Sequence, residues 1–182
     1  TLDGIIVATT TPDLIFPSTA INVQNKLGIH TGFAFDLNAV CAGFVYALAV
    51  ADGLIKNKTA KSIAVVGAET MSRVLDWKDR ATCVLFGDGA GAFILEASSE
   101  QGIIDCSLDA DSSKNGILKV SGGISSGNLD AKVEMNGKEV FKTAVDSMSS
   151  SLKNILEKNG MSDVDWVLPH QANQRILSAV AT

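Results

Sequence analysis

The stretch "DLNAVCAGFVYALAVADGLI", Asp36–Ile55, decides the fold. Phe33–Val40 reads as a short apolar strand, and from Cys41 to Lys56 small and apolar residues follow with almost no polar interruption. Phe44, Val45, Leu48, Val50, Leu54 and Ile55 fall on all sides of a helical wheel. That pattern predicts a helix buried all round rather than an amphipathic surface helix. A strand that runs straight into a buried helix is the building unit of an α/β protein. The cysteine at the junction raises a question of chemistry. The first N–H groups of a helix lack intrahelical partners and the dipole there is positive, which favours a thiolate. An ordinary thiol pKa of about 8.5 is lowered by roughly one to several units at such a place. The plain alternative is a structural core cysteine.

Outward from this stretch, strands and helices alternate. Leu2–Thr9 is β-branched and apolar, a buried strand. Ser18 is placed to cap a helix over Thr19–Leu27, which Gly28 ends. "KSIAVVG", Lys61–Gly67, is a further strand, and "ATCVLFGDGAGAFILE", Ala81–Glu96, reads as two strands around a glycine-rich turn. Ile103–Asp109 begins another strand, and the Gly- and Ser-rich residues 111–130 form a loop or excursion. Val140–Asn159 carries an apolar stripe at helical spacing, "DWVLP" at Asp165–Pro169 is a short strand, and Asn173 opens a last helix. The expectation is an α/β fold with a largely parallel sheet and helices on both faces. The element order hints at two related halves.

Composition narrows the function classes. The 182 residues carry 20 Asp and Glu against 15 Lys and Arg, a net charge of −5, which argues against a nucleic-acid platform. No apolar run is long and charge-free enough to span a bilayer, and the run after Cys41 carries Asp52. Three widely spaced cysteines form neither a disulfide framework nor a CxxC metal motif, so a reducing cytoplasm is expected. The sequence opens inside a strand-like run at "TLDGIIVATT" and closes inside a helix at "QRILSAVAT", the pattern expected of a piece of a longer protein.

His170 follows "DWVLP" and precedes "QANQRIL", a second strand-to-helix junction of the kind where catalytic groups gather in open α/β sheets. A lone histidine there has a structural reading too. Nucleophile and base commonly come from distant positions, so Cys41 and His170 form a candidate pair. Cys83 and Cys106 lie mid-strand with no electropositive setting and read as core residues, and His30 reads as a turn residue. "FGDGAGA", Phe86–Ala92, lacks the lysine of a phosphate loop and leads into a strand, so nucleotide binding is not expected.

"DLNAVCAGFVYAL", "FGDGAGA" and "PHQANQRI" stand in the order and spacing of the β-ketoacyl-ACP synthase III family of thiolase-fold condensing enzymes, which this chain resembles throughout. "IFPSTA" and "NGKEVFK" match as well. The resemblance implies a thiolase-like fold of two related α/β halves with mixed sheets and buried helices. Residues 1–98 would form the first half, without its first strand and helix, and 99–182 the second, ending after the catalytic histidine. It implies a Claisen condensation that initiates fatty acid biosynthesis. Cys41 would take an acyl group, usually acetyl, from coenzyme A, and His170 would help decarboxylate malonyl-ACP. Both work with an asparagine that lies past the end of this sequence.

The same resemblance assigns further residues. Arg80 would contact the coenzyme A nucleotide, and Gly137, Phe141 and Asn173 would line the pantetheine tunnel. Phe16, Met71, Leu85 and Phe86 would shape the acyl pocket, with Phe16 reaching into the partner of a homodimer. Lys142 and Arg175 would dock the acidic carrier protein. For Phe16 and Leu85 plain core packing is the competing reading, and for Lys142 a solvated helix face. The family needs no metal and no cofactor, since the coenzyme A thioester is itself a substrate. Three other functions stay open: a secondary-metabolism ketosynthase with a non-carrier acceptor, a non-catalytic fragment that dimerises or binds carrier protein, and a cysteine hydrolase.

Overall fold

The computed structural model describes residues 2–181, which divide into two compact units. The first comprises residues up to Thr70 together with Asp88–Cys106, and the second Met71–Gly87 with the residues from Ser107 onward.

The first unit is built on the strand β1 (Gly4–Ala8), all five of whose residues are buried. Successive side chains of a strand point to opposite faces, and the core divides accordingly. Ile5 and Val7 join Ala20 and Ala64 on one face, while Ile6 and Ala8 join Ala47, Ala51, Ile63 and Val65 on the other. The helices α1 (Thr19–Lys26) and α2 (Gly43–Lys56) cover these two faces respectively. β1 pairs in parallel with β2 (Phe33–Leu37) and with β3 (Ser62–Thr70). β4 (Asp88–Glu96) adds to β3 in the antiparallel sense, giving the order β2-β1-β3-β4. The sheet is therefore mixed, with parallel strands at one side and an antiparallel edge at the other.

Local chemistry explains these elements. Ser18 caps α1 as expected, its Oγ accepting from the Ile21 N–H at 3.2 Å, and Gly28 follows the helix at φ +68°. A second cap comes from across the fold. The Asp36 carboxylate at the end of β2 accepts from the Thr19 and Ala20 N–H groups at 2.7 and 2.8 Å. Two close approaches favour glycine. A Cβ on Gly4 would overlap the Phe33 ring, and one on Gly43 would press on the Ala8 Cβ at 3.2 Å, where α2 meets the sheet.

Several expectations change. The strand before Cys41 stops at Leu37, short of Val40, which turns to φ +49°. The helix after Cys41 is not buried all round: Gly43, Ala47 and Ala51, four residues apart on one face, are buried, whereas Val45 is half exposed. The glycines of "FGDGAGA" do not make a turn between two strands. Residues 81–87 contain no strand, and Gly89 and Gly91 lie within β4 opposite Glu69 and Gly67. Ile103–Asp109 and Asp165–Pro169 are not strands either. Apolar content suits a strand, but a ladder also needs a neighbour, and neither segment has one among the described residues.

In the second unit β5 (Leu118–Val120), inside the region read as a loop, pairs antiparallel with β6 (Val133–Met135) just beyond it. The long helix α3 (Gly137–Lys158) is capped by Asn136, whose Oδ1 accepts from the Glu139 N–H. It packs against α4 (Gln174–Val180), which Asn173 caps through the Ile176 N–H at 3.0 Å. Among the described residues no helix is long and apolar enough to cross a membrane.

Asp3 staples the three parallel strands at their start. Its carboxylate accepts from the Lys61 and Ser62 N–H groups at 2.7 and 3.1 Å, and its carbonyl accepts from Phe33 N–H at 3.1 Å. The two backbone N–H groups, helped by the Lys61 charge, hold the carboxyl below its ordinary value of 3.8. A depressed carboxylate pKa contributes stability above the unfolded value that is lost as pH falls through the folded one. Asp3→Asn should therefore lower Tm at neutral pH and flatten the fall of Tm below pH 3.8, read by thermal melts across acid pH. An unchanged Tm–pH curve would show that the staple contributes nothing.

Candidate active site

Cys41 lies in a single 3-10 turn, Val40–Ala42, that joins β2 to α2 in the first unit. The residue before it is the strained one. Val40 is β-branched and sits at φ +49°, a region such residues avoid. The Asn38 Oδ1 accepts from the Val40 N–H at 3.3 Å and from the Thr10 Oγ1 hydroxyl at the same distance. At the adjoining ends of β1 and β3, Glu69 accepts from Thr10 N–H at 2.8 Å and from the Thr11 hydroxyl at 2.6 Å. The Thr11 Oγ1 in turn accepts from Thr70 N–H at 2.8 Å.

The electrostatics at Cys41 run against the thiolate expectation. Cys41 has its own exposed surface, but crowding around its sulfur withholds water and pushes the thiol above its ordinary value of 9.0. A hydrogen bond from its own backbone N–H opposes this, and the Glu69 carboxylate adds to it. Desolvation penalises the charged form more than one short turn of N–H groups relieves it.

The second unit holds His170, exposed, in the irregular segment before α4. Five of the residues singled out from the sequence line one open, mostly apolar groove of about 720 Å³: Leu85, Gly137, Phe141, Asn173 and Arg175. α3 supplies Gly137 and Phe141, and the start of α4 supplies Asn173 and Arg175. Lys138 lines the groove too, a cation the sequence reading passed over in favour of Lys142 one turn further along α3. Lys142 is exposed and does not line the groove. Arg80 is exposed in the turn that Asp79 and Thr82 stabilise, the Thr82 hydroxyl donating to the Asp79 carboxylate at 2.7 Å. Met71 opens a 3-10 turn and Phe86 is half-buried. Phe16 belongs to the first unit and is 82% exposed, so it is not a core residue of that unit. No group of three or more His, Cys, Asp or Glu side chains among the described residues is placed to hold a metal ion.

The sequence reading missed Glu69, Asn38 and Thr10. One signal was available: a carboxylate at the C-terminal end of a buried strand, in "GAET", where sites collect in open α/β sheets.

Superposition on solved structures gives the mixed sheet, with its helix on each face, the thiolase-like fold. The chain superimposes on the 3-oxoacyl-[acyl-carrier-protein] synthase III of Aquifex aeolicus with a TM-score of 0.92 and 44% identity, covering 99% of this chain and 57% of that one. For the Pseudomonas aeruginosa 3-oxoacyl-(acyl carrier protein) synthase III the TM-score is 0.93 and the identity 41%, over 99% of this chain and 58% of that one. Residues 35–112 match the family model for 3-oxoacyl-[acyl-carrier-protein (ACP)] synthase III. The β-ketoacyl-[acyl-carrier-protein] synthase III of Thiobacillus denitrificans is 54% identical over 99% of this chain. Over 99% of its length the chain is therefore similar to 3-oxoacyl-[acyl-carrier-protein] synthase III proteins. It spans 58% of the length of that Thiobacillus relative.

The raised thiol gives a direct test. Alkylation of Cys41 by iodoacetamide, followed by peptide mapping across alkaline pH, should show a midpoint above 9.0. A midpoint below that value would mean that the turn's N–H groups outweigh desolvation.

Proposed function

We propose that the protein is a β-ketoacyl-ACP synthase III, condensing an acyl group from acyl-CoA, usually acetyl, with malonyl-ACP to initiate fatty acid biosynthesis. The observation that carries this reading is Cys41, presented by a left-handed turn at the start of α2 in a chain 54% identical to a β-ketoacyl-ACP synthase III. The thiolate of Cys41 attacks the acyl-CoA carbonyl carbon. A C–S bond forms, the tetrahedral intermediate places its oxyanion against the Cys41 N–H, the C–S bond to coenzyme A breaks, and coenzyme A leaves as its thiol with the proton that Cys41 gave up on ionising. Malonyl-ACP then loses carbon dioxide. The electron pair of the broken C–C bond becomes an enolate whose oxygen is held by the His170 side chain. The enolate carbon attacks the acyl-cysteine, a C–C bond forms, and Cys41 leaves as thiolate with the β-ketoacyl-ACP as product.

In this reading the groove between α3 and α4 takes the pantetheine arm. Its apolar walls from Leu85 and Phe141 suit the arm's methyl and methylene groups, and Asn173 offers a polar contact. Arg175, with Lys142 outside the groove, meets the acidic carrier protein, and Arg80 meets the coenzyme A nucleotide. Phe16, Met71 and Phe86 shape the acyl pocket, and the exposure of Phe16 suits a place in the partner of a homodimer. The boundary between the two related halves falls at residues 98 and 99, and the enzyme works in the cytoplasm.

A raised thiol pKa sharpens the role of the histidine. If His170 acts chiefly on the enolate, His170→Ala should cut condensation by roughly two to four orders of magnitude, the scale of a lost acid–base group or oxyanion donor. Acylation from acetyl-CoA should fall far less, and single-turnover measurements of the two half-reactions read the split. Equal losses in both would make His170 the base that deprotonates Cys41.

A further inference from the structure

We propose that Glu69 is a positioning residue for Cys41: through Thr10 and Asn38 it pins the left-handed turn at Val40 that presents the thiol. The proposal rests on the reading of Cys41 as the nucleophile. Val40 is the reason a pin is needed. At φ +49° its branched Cβ crowds the backbone, and such a residue stays there only when its surroundings over-determine it. Side-chain contacts supply that determination. Asn38 Oδ1 fixes the Val40 N–H, and the Thr10 hydroxyl fixes Asn38 by donating to the same oxygen. Thr10 is itself fixed because its N–H donates to Glu69 Oε1 at 2.8 Å.

The other carboxylate oxygen closes the clasp. Glu69 Oε2 accepts from the Thr11 hydroxyl at 2.6 Å, while the Thr70 N–H donates to that hydroxyl and the Thr11 N–H donates to Thr9 Oγ1. A single half-buried side chain on β3 thus holds the end of β1, and the end of β1 holds the turn that bears Cys41. Glu69 is also the charged group whose field acts on the thiol. The same residue therefore sets the position of Cys41 and adds to the desolvation that already favours the protonated thiol. A carboxylate that merely tied two strand ends together would affect stability and leave the cysteine alone.

The turn's own strain supplies the discriminating test. Glycine adopts a positive φ freely, so Val40→Gly should make the pin unnecessary. The readout is the pH midpoint for iodoacetamide alkylation of Cys41 in the full chain, with peptide mapping and a thermal melt on every variant. Glu69→Gln removes the charge but keeps an acceptor for Thr10 and a polar partner for Thr11. Its midpoint should fall by roughly one unit or less, as for a lost like-charge neighbour. Glu69→Ala also releases the turn and lets water reach the sulfur, so its midpoint should fall further. Adding Val40→Gly to Glu69→Ala should return the midpoint to that of Glu69→Gln. If Glu69→Ala does not fold, Asn38→Ala breaks the pin without touching the charge. Its midpoint should also fall, and Val40→Gly should restore it to the wild-type value. Identical midpoints for Glu69→Ala and Glu69→Gln, an unmoved midpoint in Asn38→Ala, or no restoration by Val40→Gly would overturn the proposal. Alkylation needs no acyl donor, so a Cys41 that takes no acyl group from acyl-CoA would defeat the proposed reaction and leave this result readable.

Discussion

The two-sided burial of β1 is the constraint on which the first unit depends. Ile5, Ile6 and Val7 are fully removed from solvent, and each contributes about 1.5–3 kcal/mol on that account. A strand with no wet face needs a helix on each side, which α1 and α2 provide. It also needs a strand on each edge, which β2 and β3 provide. Once α2 is seated through the Gly43–Ala8 approach, one end of the turn that enters it is placed, and the Asn38 and Thr10 contacts at the end of β1 hold the other. The position of Cys41 is thus a consequence of how β1 is buried, one step removed.

That seating carries a chemical cost. The crowding that fixes the turn also withholds water from the sulfur, and the carboxylate that steadies the turn places a negative charge nearby. Both favour the protonated thiol. In the second unit the groove between α3 and α4 has the opposite character, open and apolar with cations at Lys138 and Arg175.

Elements whose signal is local were legible in the sequence. β1 showed itself through an unbroken β-branched run, α1 through Ser18 and Gly28, and α4 through Asn173. Elements that depend on a neighbour were not. The second half of β4 was read as a strand, but Gly89 and Gly91 suggest a turn in its first half until β3 is seen alongside. "DWVLP" has strand composition but no partner strand among the described residues. Of the candidate site, the sequence motifs drew attention to Cys41 and to five residues that the structure gathers in one groove, whereas the Glu69 clasp left no such mark, since its partners stand 58 and 59 positions away.

The central claim is that Cys41 carries the acyl group. The most direct measurement is peptide mapping by mass spectrometry after brief incubation of the native protein with acetyl-CoA and no carrier substrate. The account predicts one acetyl group per chain on the peptide bearing Cys41, discharged when malonyl-ACP is added. Acetylation confined to Cys83 or Cys106, or none on Cys41 while acetyl-CoA is consumed, would contradict it.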